Sequence, residues 1–325
     1  MVTKALVLSG GNALGSYHGG VMEALLEAGE APSWIASASI GAITAALIAG
    51  SPPEARIDRL RSFWREVSAP NWLPASRRAS QWLGAASSRL IGRPELFRLR
   101  LPLPSDQPDR VSLYDSSPMR RTLARLIDFE RVNSGEMRLS VLAVDLRTGA
   151  EVVFDTAKDR IGLDHIMASA ALIPDFPPVQ VEGRWLVDGG LGLNTPVDLV
   201  LEDPPAPLTC FVSDLFPLQA ELPRDISSLA QRQSDLIFAH QTERALHHAA
   251  RGRAAGPRID LMRLAYAADA EETAMKAWDF SATSIERRWE AGRRDTAAAI
   301  ATLRALPNRQ GGLQIHPPLA LRSRP

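Results

Sequence analysis

The chain has 325 residues, 45% of them hydrophobic, enough for one large core or two modest domains. Lys plus Arg and Asp plus Glu both number 37, so no net field argues for a nucleic-acid partner or an acidic tail. One cysteine, Cys210, excludes an internal disulfide framework, and no apolar stretch reaches membrane-spanning length.

Residues 5–8 are apolar throughout and predict a strand covered on both faces. The loop Ser9-Gly10-Gly11-Asn12-Ala13-Leu14-Gly15 follows. Residues 18–28 predict a helix with Val21, Leu25 and Ala28 near one face and Gly29 as its stop. A second strand, 34–36, leads through Ser37-Ala38-Ser39-Ile40-Gly41 into the helical run 42–48, which ends near Gly50-Ser51-Pro52-Pro53. This alternation of strand and helix is an α/β signature. Folded-looking sequence begins at once, so a secretory leader is not expected. The expectation is a soluble, cytoplasmic protein, with transient membrane-surface contact open to it because an interfacial helix needs no spanning segment.

Residues 54–66 predict an amphipathic helix carrying Ile57, Leu60 and Phe63-Trp64. The stretch 70–108, with Trp72, Trp82, Phe97, several arginines and scattered prolines, reads as an irregular insertion beside the sheet. Its aromatics and arginines are assigned to packing and solvated surface. A helix over 116–126, a strand over 139–144, a turn at 145–149 and a partner strand over 151–154 come next. A helix over 164–172 stops before Pro174, and a strand over 184–187 runs into Asp188-Gly189-Gly190. Asn194-Thr195-Pro196 reads as a helix start. Strands over 208–212 and 259–264 and helices over 226–250 and 281–306 complete a single α/β domain spanning 1–306. Cys210 belongs to a core strand. The tail, 307–325, is rich in proline and glycine and is expected to be loosely ordered.

Three of these segments carry chemistry. Ser39 has the context of a serine nucleophile on a strand-to-helix turn, which exposes the hydroxyl near the positive end of a helix. Gly41 permits the tight turn, while Ser37 stands where the usual pattern has glycine; taken alone, the pentapeptide is equally a turn with a helix-capping serine. Gly10, Gly11 and Asn12 offer successive backbone N–H groups that could hold an oxyanion, with Asn12 tolerant of a left-handed conformation. The alternatives for this loop are a structural turn or a phosphate loop, and the latter lacks the required lysine or glycine spacing. Serine needs a base. None of His18, His165, His240, His247, His248 and His316 has an active-site loop context, so surface or packing roles are expected, and no compact metal-ligand spacing emerges. Asp188 ends an apolar strand before the turn Gly189-Gly190, where its carboxylate could take the serine proton; alone, Asp-Gly-Gly is a common turn.

In order and approximate spacing, these three segments resemble the patatin-like phospholipase family. The resemblance implies a Ser39–Asp188 dyad without a catalytic histidine, and an oxyanion hole from the backbone of Gly10, Gly11 and Asn12. It implies a three-layer α/β/α sandwich with a central, mostly parallel sheet, no cofactor and no metal. The implied substrates are acyl esters: phospholipids, lysophospholipids or neutral lipids. Ser39-Ile40-Gly41-Ala42-Ile43, Phe63-Trp64, Phe176-Pro177-Pro178 and Asp279-Phe280-Ser281 are most similar to a bacterial subgroup of acyl hydrolases. Some of its members resemble intracellular polyhydroxyalkanoate-type depolymerases. The sequence departs from the family at Asn12 and Ser37, each in place of glycine, and at Leu14, where a basic residue is frequent. The leading expectation is a metal-independent acyl-ester hydrolase; acyl transfer by the same dyad and a catalytically weak lipid-binding relative are the alternatives.

Overall fold

Along β1 (Thr3–Leu8), Leu6 and Leu8 enter one apolar cluster while Ala5 and Val7 enter another, since successive side chains of a strand leave opposite faces. Both clusters are deeply buried, so helices must cover the sheet on both sides. The computed structural model describes residues 2–69, 77–100, 104–205, 207–251, 256–267, 275–307 and 311–318. The further strands are β2 (Trp34–Ala38), β3 (Gly92–Arg93), β4 (Phe97–Leu99), β5 (Tyr114–Asp115), β6 (Arg138–Asp145), β7 (Glu151–Asp155), β8 (Val179–Val181), β9 (Arg184–Asp188), β10 (Leu208–Asp214), β11 (Ile259–Ala265) and β12 (Leu313–His316). The helices are α1 (Ser16–Glu27), α2 (Ile40–Ala49), α3 (Arg56–Val67), α4 (Arg77–Leu90), α5 (Ser117–Leu126), α6 (Phe129–Val132), α7 (Leu163–Ser169), α8 (Gly190–Leu193), α9 (Asp198–Leu201), α10 (Ile226–Arg251) and α11 (Ala282–Arg304).

Among the described residues, nine strands form one sheet in the order β12-β11-β10-β1-β2-β6-β9-β8, with β7 also on β6. The run from β12 to β6 is parallel throughout, and β7, β9 and β8 pair antiparallel. One face packs Leu6, Leu8, Ile35, Phe211 and Met262 against α1, α2 and α11. The other packs Val7, Ala36, Cys210, Val212 and Leu261 against α9 and α10. The result is the expected α/β/α architecture, with a central and mostly parallel sheet.

Two features of this topology prepare a site. First, β1 is flanked by β2 and β10, so the chain leaves its two neighbours in opposite directions and opens a crevice at the carboxyl ends of β1 and β10. Second, β7 occupies one edge of β6 over Ser140 to Val144, which leaves both β2 and β9 on the other edge. β2 runs parallel to β6 and ends with Ala38 opposite Leu142; β9 runs antiparallel and ends with Asp188 opposite Ala143. The two strand ends therefore meet head-on.

Three local expectations are altered. In the stretch read as irregular, described residues form α4, β3 and β4, with β4 pairing antiparallel to β5 just beyond it, while 70–76 and 101–103 lie outside the described residues. The tail contributes β12, whose Leu313 and Ile315 pack on the second apolar cluster; this alternation was hidden by the surrounding proline and glycine. Asn194 closes the single turn α8 instead of opening a helix, because its main chain and side chain are both engaged by the loop after β1.

Candidate active site

Ser39 sits between β2 and α2 with φ 57° and ψ −128°, a left-handed backbone that L-residues avoid unless their surroundings impose it. Those surroundings are specific. The Ser39 N–H donates to the carbonyl and the hydroxyl oxygens of Ser169, each at 3.1 Å, and the Ser169 hydroxyl donates to the Leu142 carbonyl at 2.6 Å. A Cβ on Gly41 would stand 2.3 Å from the Leu8 carbonyl oxygen, so only glycine lets the elbow pack against the end of β1. Ser37, the departure from the usual glycine, donates its buried hydroxyl to the Ser140 carbonyl at 3.1 Å and leaves no polar atom stranded.

Asp188 is 1% exposed. Its Oδ1 accepts the Gly190 N–H at 2.7 Å, and its buried Oδ2 has no hydrogen-bond partner of good geometry among the described residues. Burial pushes the carboxyl pKa up to about 7, against the smaller downward pull of the Ser39 hydroxyl and the Gly190 N–H. The Gly189 N–H donates to the same Ser169 carbonyl that Ser39 uses, at 3.3 Å. The Asp188 N–H donates to the Ala171 carbonyl at 3.0 Å, just past α7, which ends at Ser169, before the expected limit.

The glycine loop lies alongside. A Cβ on Gly10 would come within 2.9 Å of Ser39 Cβ and 2.4 Å of Asn194 Oδ1, so the backbone touches the elbow directly. The Gly10 N–H donates to the Asn194 carbonyl at 3.1 Å, and Asn194 Nδ2 returns a 3.3 Å bond to the Gly10 carbonyl. The Gly10 N–H is thus spent inside the fold, which departs from its expected place among the oxyanion donors. Asn12 adopts φ 52°, the left-handed conformation its residue type favours. Ser39, Asp188, Gly11, Asn12, Gly190 and Asn194 line one cavity of about 390 Å³ with Ile43, Phe97, Phe176, Phe238 and Trp278. Its mixture of apolar wall and a few converging polar groups suits a small organic ligand.

The histidines take no part in this cluster. His18 is fully buried behind the loop, with Nε2 2.9 Å from the Ser9 carbonyl and Nδ1 2.8 Å from Ser213 Oγ. A carbonyl only accepts, so Nε2 carries the proton and Nδ1 accepts from Ser213. Burial depresses the ring to about 4, with the Ser9 bond pulling the other way. His165 accepts the Gly162 N–H and packs on Phe154, and His240, His247 and His248 are exposed on α10. Cys210 is a core thiol pushed up to about 12 by burial. Among the described residues no group of three or more His, Cys, Asp or Glu could hold a metal ion, and no helix is long and apolar enough to cross a membrane.

Ser169 and Asn194 were not legible as site residues. Ser169 looked like one more residue of a helical run, and Asn194 carried only a capping signal. Their roles depend on partners 130 and 184 residues away.

Comparison with known proteins matches residues 6–201 to the family described as patatin-like phospholipase, and residues 221–310 to a family described as patatin phospholipase. Mouse patatin-like phospholipase domain-containing protein 6 is 28% identical over 199 residues, and the human protein of that name matches equally. The match takes in 61% of this chain and 12% of the length of those relatives. Among solved structures, VipD from Legionella pneumophila aligns with a TM-score of 0.46 at 15% identity, over 93% of this chain and 67% of that one. Human GIVD cytosolic phospholipase A2, in complex with methyl gamma-linolenyl fluorophosphonate, aligns with a TM-score of 0.46 at 13% identity, over 94% and 58%.

Proposed function

The chain belongs to the patatin-like phospholipase family, and on that premise we propose that it is a serine acyl-ester hydrolase acting on lipid substrates through a Ser39–Asp188 dyad. The observation that carries this reading is the placement of a strained, cavity-facing serine next to a buried carboxyl held near pKa 7. A base titrating near the working pH combines a useful ionised fraction with real proton affinity.

In the proposed reaction Ser39 Oγ attacks the ester carbonyl carbon while its proton passes to Asp188. The carbonyl oxygen becomes an oxyanion, for which the N–H groups of Gly11 and Asn12 are the available donors. Neither is committed to a hydrogen bond within the described residues, and donors fixed in place before reaction cost no reorganisation. Collapse of the intermediate expels the alcohol, which takes the proton from Asp188. Water then attacks the acyl-Ser39 ester with Asp188 again as base, releasing the carboxylic acid and regenerating the serine. Gly10 serves by close packing: it holds the loop against Ser39 and Asn194. No group outside the chain is required by these steps.

The aromatic wall formed by Phe97, Phe176, Trp278 and Phe280 supports an acyl chain as the buried part of the substrate. Two of its members belong to the segments that resemble the bacterial subgroup, and a polyhydroxyalkanoate-type ester would present the same carbonyl to Ser39. Transfer to an alcohol or lysolipid acceptor would use the same acyl-enzyme and differ only in what resolves it.

A fluorophosphonate probe tests the reading. Covalent labelling is expected on the peptide containing Ser39, and Ser39→Ala should abolish both labelling and ester turnover. Ester hydrolysis that persists in Ser39→Ala would overturn the mechanism. Lipid binding by wild type with neither labelling nor turnover would identify a binding relative instead.

A further inference from the structure

The face that α10 turns to the cavity is polar for most of its length. Ser227, Gln231, Ser234 and Phe238 line the cavity, at the i, i+4, i+7, i+11 spacing of one helix face. Ser227 is exposed, while Gln231, Ser234 and Phe238 are half-buried. None of the four is charged. Among the described residues the charged side chains lining the cavity are Arg89, Asp175 and Asp188. Arg89 stands 4.0 Å from Asp175, and Asp188 is the proposed base. The aromatic wall suits an acyl chain, but it gives no use for an amide and two hydroxyls set along the helix. A polar group that loses water without gaining a partner costs free energy, so these groups point to a polar part of the ligand.

Gln231 is held in one orientation. Its Nε2 donates to Asp235 Oδ1 at 2.9 Å. Asp235 is 4% exposed and pairs with Lys276, itself 3% exposed, at 3.1 Å. Lys276 opens the short turn Lys276–Trp278 and lies between the cavity-lining residues Met275 and Ala277. Its carbonyl accepts from Arg288 Nη2 at 2.9 Å, so the turn is fixed from behind. A carboxylate paired with an ammonium only accepts, so the amide nitrogen of Gln231 faces Asp235 and the amide oxygen faces away. Reversing the amide would set oxygen against oxygen. Gln231 Oε1 accepts no hydrogen bond among the described residues.

We infer that Gln231 selects the alcohol half of the substrate, its Oε1 accepting a hydrogen bond from a free hydroxyl on that half, with Ser227 and Ser234 alongside. The favoured substrates are then esters of neutral alcohols that keep a second hydroxyl free. A phosphodiester oxygen has no proton to donate and gains nothing from this acceptor. Asp235 and Lys276 act through Gln231 as positioning residues. The assignment to an ester's alcohol half rests on the hydrolase reading, whereas recognition of the hydroxyl itself needs no turnover.

Matched hexanoate esters test this. Hydroxyethyl and propyl hexanoate differ by a hydroxyl in place of a methyl group, and the ratio of their kcat/KM values does not depend on how much enzyme is folded. Gln231→Met should shift that ratio about tenfold towards the propyl ester, the size of one hydrogen bond to a partly buried acceptor. Asp235→Asn/Lys276→Met removes the ion pair without stranding a buried charge and frees the amide to turn. It should shift the ratio in the same direction with Gln231 still present. Hexanoylcholine carries a charge but no donor, and propyl hydroxyhexanoate carries its hydroxyl on the acyl chain; neither should change relative to propyl hexanoate in Gln231→Met. A ratio unmoved by Gln231→Met would overturn the inference. So would a shift for hexanoylcholine, which would make charge the signal, or a shift for propyl hydroxyhexanoate alone, which would lay the acyl chain along α10. A ratio moved by Gln231→Met but kept in the double variant would remove Asp235 and Lys276 from the account. If wild type neither labels at Ser39 nor turns over any ester, the hydrolase reading falls. Calorimetric binding of the hydroxyethyl and propyl esters to Ser39→Ala protein, with and without Gln231→Met, then decides the recognition by the same shift.

Discussion

Ser39 and Asp188 are brought together by two strands that run in opposite directions and end on adjacent residues of β6, Ala38 against Leu142 and Asp188 against Ala143. The geometry is then fixed by Ser169, whose carbonyl accepts from Ser39 and Gly189 and whose hydroxyl donates to Leu142. A hydrogen-bond ladder therefore sets the spacing of the two side chains, and neither depends on a long loop.

Ser169→Ala should expose this arrangement. The Ser39 peptide keeps the Ser169 carbonyl but loses the hydroxyl oxygen, and the Leu142 carbonyl loses its side-chain donor. A stability loss of about 1–2 kcal/mol is expected by denaturant unfolding. kcat should fall at least tenfold, on the order expected for a small displacement of a reacting group, with KM little changed. Full kcat with lowered stability would limit Ser169 to a structural part.

Asp188 should control the pH profile. With its carboxyl at about 7, kcat/KM should climb as pH rises through that value, because in the proposed mechanism the ionised form accepts the Ser39 proton. The linkage has the opposite sign for stability. The unfolded carboxyl titrates near ~3.9, so folding favours the protonated form. The associated stability is complete below that value and is lost as pH rises through about 7. Asp188→Asn should therefore melt several degrees higher than wild type at mildly alkaline pH, with the gap closing towards acid, while activity falls by roughly 10²–10⁴-fold. Lower stability than wild type in alkali would contradict the buried-carboxyl account.

Gly10→Ala places a methyl group against Asn194 Oδ1 and Ser39 Cβ. Overpacking of this kind costs about 1–3 kcal/mol, and activity should collapse. Truncating the neighbour in Gly10→Ala/Asn194→Ala relieves only the first clash. The pair should thus be more stable than the sum of its single effects, with activity still lost. A double-mutant cycle with simple additivity would remove the proposed contact.

His18 sets an acid limit. Its ring stays neutral in the fold to about 4, whereas an unfolded histidine protonates near ~6.5. The stability that follows is complete above ~6.5 and is lost as pH falls towards about 4. His18→Gln should flatten the acid side of a stability–pH curve measured by urea unfolding, whatever it costs at neutral pH.

Much of this could be read from sequence because local signals agreed with the fold. Val7, Ile35 and Cys210 lie in continuous apolar runs that do form doubly covered strands, and Gly41 and Gly189 mark turns that the structure makes. What stayed hidden depends on distant partners. His18, on the first helix, gave no hint that it would be buried against Ser213. Gly10 offered an N–H whose use by Asn194 is invisible locally. The alternation of Leu313 and Ile315 was outweighed by neighbouring proline and glycine.

The pairing of β2 directly with β6 leaves a long excursion between two neighbouring strands. Everything between these strands, from α2 through the small sheet β3-β4-β5 to α6, leaves and rejoins the main sheet at two neighbouring, already bonded strands. That excursion supplies Arg89, Leu96, Phe97 and Met119 to the cavity, yet the strand ends carrying Ser39 and Asp188 are registered without it. Part of the cavity wall therefore comes from α4, the β3-β4 hairpin and α5, outside the register that sets the ends of β2 and β9 on β6.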